Sequence, residues 1–167
     1  MSGDQERDAA LSQAVRLREQ GQTERAREEL VALAQRYPQD TEVAYQAGWA
    51  HDVLGLEAEA VPFYERALSG PGLSEEDRHG VFLGLGSTYR VLGRFELSLR
   101  TLRGGLAEFP QDPALQAFLA MALYNAGQGR EAVQTLLKTL TASSADLRVR
   151  SYRSAIDHYA EDLDAME

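Results

Sequence analysis

Small residues recur in the chain at a near-constant spacing. Ala14, Gly48, Gly86 and Ala120 stand 34, 38 and 34 residues apart, each inside an apolar stripe of helical period. A repeat of this length means that one unit cannot bury its own apolar face and that stacked units share a continuous core. The third unit, His79 to Asp112, shows the pattern best. Phe82, Leu85 and Tyr89 fall at i, i+3 and i+7 on one helical face. Gly86 lies beside that face with no side chain to hold a neighbouring helix away. Gly93 stops the helix, because glycine accepts the left-handed conformation of a helix end without steric cost. Phe95, Leu99, Leu102 and Leu106 form a second stripe, and Pro110 closes the unit because proline cannot donate the helix hydrogen bond.

The other units follow the same plan. The first has helices over about Gln5 to Gln20 and Thr23 to Arg36, and ends in Tyr37-Pro38-Gln39-Asp40. Asp40 is placed to cap a helix over Thr41 to Leu54, and its partner spans Glu57 to Ser69. The wider spacing between the second and third units has a local source. Gly70-Pro71-Gly72 is a turn, and Ser74-Glu75-Glu76-Asp77 reads as a capping box that starts the next helix about one turn early. The fourth unit opens on Asp112-Pro113, and its second helix spans about Gly129 to Leu140. A polar link, Thr141 to Ser144, then precedes a single long helix over about Ala145 to Ala165. Its stripe of Ala145, Val149, Tyr152, Ile156, Tyr159 and Leu163 reads as a cap over the open end of the fourth unit, with a dimer contact as the alternative.

This pattern of an aromatic, then Leu-Gly, then Tyr, ending on Pro, resembles the tetratricopeptide repeat over about Arg7 to Leu140. The chain looks most like bacterial members of unassigned role. The resemblance implies an all-α fold, a right-handed superhelical solenoid of four helix-turn-helix repeats plus a C-terminal capping helix. One domain over 1–167 is expected, with repeats at about 7–40, 41–74, 75–112 and 113–142 and the capping helix at about 145–165. In the family the first helix of each pair lines a concave surface. Carried over, the inward places are Leu11, Val15, Arg18 and Glu19; Tyr45, Trp49, Asp52 and Val53; Leu83, Ser87, Arg90 and Val91; and Ala117, Met121, Tyr124 and Asn125. Aromatics, Met and Arg are enriched at interfaces, so the expected binding set is Tyr45, Trp49, Asp52, Ser87, Arg90, Met121, Tyr124 and Asn125. Trp49 reads as groove, with core packing the alternative.

The implied function is a non-catalytic scaffold that holds a protein or peptide segment in the groove. A structural or homo-oligomerising module, using the outer face or the C-terminal helix, is the second reading, so a homodimer stays open. Some family members grip the acidic tails of chaperones with a clamp of Lys, Asn and Arg. The matching places here are Leu11, Val15, Gln46, Gly80 and Gly84, none of them cationic, so no affinity for such tails is expected.

Composition narrows the chemistry. The net charge is −9, which argues against nucleic acid. Residues 41 to 78 carry eight acids and two bases, whereas 79 to 112 carry three and four, which favours a neutral to basic partner with apolar anchors. There are no cysteines, hence no disulfides or thiolate metal sites, and a reducing cytoplasm suits the chain. No apolar run is long enough for a membrane span, and the acidic start is not a secretory signal. Lys138 is the single lysine among 17 basic residues, a bias expected of a GC-rich bacterial genome. His51-Asp52 could be half of a catalytic dyad, but His51 takes the place of the family's core tyrosine and reads as packing. His79 and His158 lack ligand-spaced partners, and Gly84-Leu85-Gly86 lies inside a helix rather than after a strand. No enzyme, metal or cofactor is expected.

Overall fold

The computed structural model describes residues 3 to 164. Ten α-helices make up the described chain, with no strand among those residues: α1 Gly3–Glu19, α2 Thr23–Arg36, α3 Thr41–Val53, α4 Glu57–Ser69, α5 Glu75–Val91, α6 Phe95–Glu108, α7 Pro113–Asn125, α8 Gly129–Ser143, α9 Leu147–Ser151 and α10 Arg153–Glu161. Helices α1 to α8 pair in sequence, and each pair packs on the next, so the chain is an all-α solenoid.

The capping chemistry sets the helix starts. Asp40 accepts the Val43 amide at 2.9 Å, Ser74 the Asp77 amide at 3.0 Å and Asp112 the Leu115 amide at 2.8 Å. The early start at Ser74 makes α5 17 residues long against 13 for α3 and α7, which absorbs the four-residue insertion at a helix end. Gly93 adopts φ 71° at the turn between α5 and α6, as glycine's missing Cβ permits.

The small residues let the paired helices close up. A Cβ on Gly86 would stand 2.5 Å from Leu102 Cγ, and the Ser98 hydroxyl donates 2.6 Å to the Gly86 carbonyl across the same pair. Tyr64 does this twice. Its ring would lie 2.8 Å from a Cβ on Gly48 and 2.7 Å from one on Gly84, so one buried tyrosine of α4 fills the gap to α3 and to α5. At the N-terminal end, Arg7 of α1 donates to Asp40 and Glu42, each at 2.7 Å, and ties α1 to the start of α3.

The C-terminal segment departs from the sequence reading. Helix α8 runs through Thr141 to Ser143, where a polar link was expected. The single helix expected over 145–165 is two helices, α9 and α10, and Ala165 lies outside the described residues. Asp146 caps α9, and the chain tightens at Tyr152, whose amide is shared between the carbonyls of Arg148 and Val149. The segment caps the fourth pair, since α10 lies on α8, but not with its apolar stripe. Helix α10 packs along α8 through Gln134 to the Ala160 carbonyl at 2.8 Å, Thr141 to Asp157 at 2.6 Å and Lys138 to Glu161 at 2.9 Å. Tyr152 and Tyr159 of the stripe point to solvent.

Candidate protein-binding groove

The first helices of the pairs touch one another in series, α1 on α3, α3 on α5 and α5 on α7, whereas the second helices α2, α4, α6 and α8 do not. Helices that meet on one side and diverge on the other bend the stack, so α1, α3, α5 and α7 form its inner wall. Turns ending in glycine and the N-caps set the phase of each inner helix, and this phase decides which side chains face inward.

Near the N-terminal end the wall is a layered cluster. The Arg18 guanidinium lies 3.6 Å from the centre of the Trp49 ring, a cation–π contact, and also donates to the Gln46 side chain. Trp49 stacks in turn on Tyr45, 5.8 Å between ring centres. The indole is 38% exposed, which makes it wall rather than core. Tyr45 is buried, and its hydroxyl fills the space where a Cβ on Gly80 would stand. The expectation that Tyr45 meets a partner directly is therefore corrected. It forms the floor beneath Trp49, because the small residues of α5 let that helix settle over the ring. Burial, followed by the nearby Asp77 carboxylate, pushes the Tyr45 phenol up. Asp52 is half-buried and accepts the Tyr64 hydroxyl at 3.2 Å. Burial raises its pKa in spite of the bond from Tyr64.

Towards the C-terminal end, Arg90 of α5 donates to Asn125 of α7 at 3.1 Å and bridges two inner helices. Met121 and Asn125 are exposed, Tyr124 is 72% exposed, and Ser87 is half-buried. Arg90, Met121, Tyr124 and Asn125 border a pocket of about 300 Å³ whose other side is Val133 and Leu136 of α8. The expected residues thus fall into two groups, Tyr45-Trp49-Asp52 and Arg90-Met121-Tyr124-Asn125. Val53 and Val91, both more than half exposed, also occupy inward places. The expected binding set omits them. Arg18 was left out although it shared their helix register. Val133 and Leu136 carried no groove signal, since they sit on a second helix.

The remaining chemistry is structural. His51 is buried, its Nδ1 2.7 Å from the Ala47 carbonyl and its ring stacked on Phe63. His79 Nε2 lies 3.1 Å from Asp112, the cap of α7. Among the described residues no group of three His, Asp or Glu is arranged to hold a metal ion, and no helix is long and apolar enough to cross a membrane.

Residues 41–163 match the family model described as Tetratrico peptide repeat, and residues 8–40 match a second, described as Tetratricopeptide repeat. No curated protein matches the sequence significantly. Similar solved structures include one described as MamA MSR-1 C2, with 20% identity, 83% of this chain and 78% of that chain covered, and a TM-score of 0.70. Another is MamA AMB-1 P212121, with 21% identity, 81% and 78% covered, and a TM-score of 0.72. A third, described as Crystal structure of MamA protein, has 16% identity, 96% and 79% covered, and a TM-score of 0.72. At these identities the likeness is one of fold. The match over residues 41–163, most of the chain, agrees with the four helix pairs and their buried small residues: the chain belongs to the tetratricopeptide repeat family.

Proposed function

We propose that the chain is a non-catalytic scaffold whose inner wall holds a segment of another protein. One observation carries this reading. Trp49, Val53, Val91, Met121 and Tyr124 are exposed on the inner helices, although polar residues at these exposed places would cost the fold nothing. Apolar side chains left in water on a concave wall, with Arg18 and Arg90 beside them, have the composition of an interface rather than of a plain surface. The partner is neutral to basic with apolar anchors. Asp77 and Glu76 stand near the Tyr45 hydroxyl, and the acidic balance of residues 41 to 78 repels an acidic segment. An acidic chaperone tail does not fit this wall. At two of the clamp places, Gly80 and Gly84 lie against Tyr45 and Tyr64, so a cationic side chain has no room.

The test is affinity capture with the wild-type chain and with a Trp49→Ala, Tyr124→Ala variant. Proteins held by the wild type and lost by the variant, with circular dichroism unchanged, support the groove. Equal capture by both would place binding elsewhere.

A further inference from the structure

The C-terminal end of the stack leaves two apolar faces uncovered. In each of the first three pairs, the second helix carries residues that lie under the first helix of the next pair. At the middle place, Leu30, Tyr64 and Leu102 are all buried, whereas their counterpart Leu136 is 46% exposed. At the flanking places, Val61 and Leu99 are buried where Val133 is exposed, and Ala34 is buried and Leu68 and Leu106 half-buried where Leu140 is exposed. The seat that α3, α5 and α7 fill on the earlier pairs is open on the fourth. Helix α10 does not fill it. With 3.6 residues per turn, Arg130, Gln134, Lys138 and Thr141, which hold α10, lie nearly opposite the α7-facing Ala132 and Thr139. Val133, Leu136 and Leu140 fall between the two sides. The second uncovered face is the outward side of α9–α10, where Val149, Tyr152, Ala155, Ile156 and Tyr159 border a wholly apolar hollow with Arg148 at its edge.

We propose that two copies of the chain join at their C-terminal ends about a two-fold axis, each laying the outward face of its α9–α10 on the other's open seat. The seat is shaped for a helix, since each of its counterparts holds one. This chain supplies a helical segment with an uncovered apolar stripe at the same end of the molecule, so one axis satisfies both faces at once. The opposite end of the stack does not compete as occupant. The exposed side of α1 carries Asp4, Asp8, Arg16 and Glu19, and head-to-tail stacking would put these charges against Val133, Leu136 and Leu140. The acids at the end of the segment do not oppose this arrangement, because Glu161 pairs with Lys138, and Asp162 and Asp164 with Arg130, on α8 of their own chain. Val133 and Leu136 of the seat also border the pocket of Arg90, Met121, Tyr124 and Asn125, so the second copy would cover that end of the groove.

The test is sedimentation equilibrium of the full chain, with substitutions at residues exposed in the single copy so that folding is spared. The wild type is expected to dimerise. Leu136→Glu in the seat, or Tyr152→Glu with Tyr159→Glu in the face, weakens dimerisation at least about thirtyfold, the scale of a hot-spot loss. Leu140→Glu serves as a second seat variant if Leu136→Glu loses helicity. Mixing the seat variant with the face variant restores a dimer tighter than either forms alone, because one intact face-on-seat contact remains. A wild type that stays monomeric, a dimer indifferent to both substitutions, or a failure of mixing to restore association would each overturn the proposal. In the first case the seat is left to a helix of another protein.

Discussion

At the scale of single residues, the solenoid depends on side chains that are missing. Gly48, Gly84 and Gly86 each sit where a Cβ would run into Tyr64 or Leu102, and both of those side chains are buried and cannot swing away. Gly86→Val should therefore cost about 1–3 kcal/mol or more through overpacking, read as a fall in the urea midpoint. An unchanged midpoint would mean that α5 and α6 can separate freely. Asp52 makes a prediction of a different kind. Burial raises its folded pKa above the ordinary 3.8, so the folded state holds its proton more tightly than the unfolded state. Stability from this group then falls as pH rises from 3.8 through the raised value, and the penalty persists above it. Asp40 has the opposite sign. Burial pushes its carboxyl up, but the bonds from Arg7 and Val43 outweigh burial, so its contribution is lost only as pH falls through its lowered folded value. Asp52→Asn keeps an acceptor for the Tyr64 hydroxyl and removes the charge. Its urea midpoint should exceed that of the wild type at about pH 7, with the gap closing towards about pH 4. A gap that widens in acid would contradict the raised pKa.

At the scale of helices, the eight paired elements were legible because glycine and proline punctuate them and Asp40, Ser74 and Asp112 cap them. These are local interactions that the sequence states outright. The same reading missed the division at Tyr152, where no glycine or proline stands and the break is a shared hydrogen bond. It also misjudged the last stripe. Spacings of 4 and 3 reveal that Val149, Tyr152, Ile156 and Tyr159 share a face, but not what that face meets. Which side of α10 rests on α8 is decided instead by polar partners, Asp157 on Thr141 and Gln134 on the Ala160 carbonyl. For the groove, the helix register placed Trp49, Arg90, Met121 and Tyr124 on the inner wall. It could not foresee that Gly80 lets α5 close over Tyr45, because that contact joins residues 35 positions apart. Helices α9 and α10 bury only Ala160 fully, and surface ion pairs such as Lys138 with Glu161 contribute about 0–1 kcal/mol each. Their amides should therefore exchange with solvent through local opening well before those of α3 to α7, at dilutions where the chain is monomeric. Equal protection across α3 to α10 would show that the segment is part of the cooperative stack.

At the scale of the whole molecule, the inner wall carries one tryptophan. Trp49 is the only tryptophan in the chain, so its emission reports on a single place on the inner wall. The Arg18 guanidinium lies over the indole and Tyr45 stacks on it, while Trp49 remains 38% exposed. Arg18 is half-buried, and burial draws its pKa down, but a guanidinium stays charged at neutral pH. It therefore acts as a charged lid on an aromatic surface in a protein of net charge −9. Arg18→Ala removes the lid without emptying a core position. Acrylamide should then quench Trp49 more efficiently and its emission should move to the red, with helical content unchanged. A groove partner identified by capture should do the reverse in the wild type and shield the indole. It should bind Arg18→Ala with altered affinity, because an exposed cation–π contact of about 0.5–1 kcal/mol no longer has to be rearranged. If a partner that depends on Tyr124 leaves both the quenching and the emission of Trp49 unmoved, its path along the wall ends at α5. The groove would then be confined to the pocket of Arg90, Met121, Tyr124 and Asn125, and the layered cluster of Arg18, Trp49 and Tyr45 would be a device for packing the first two repeats.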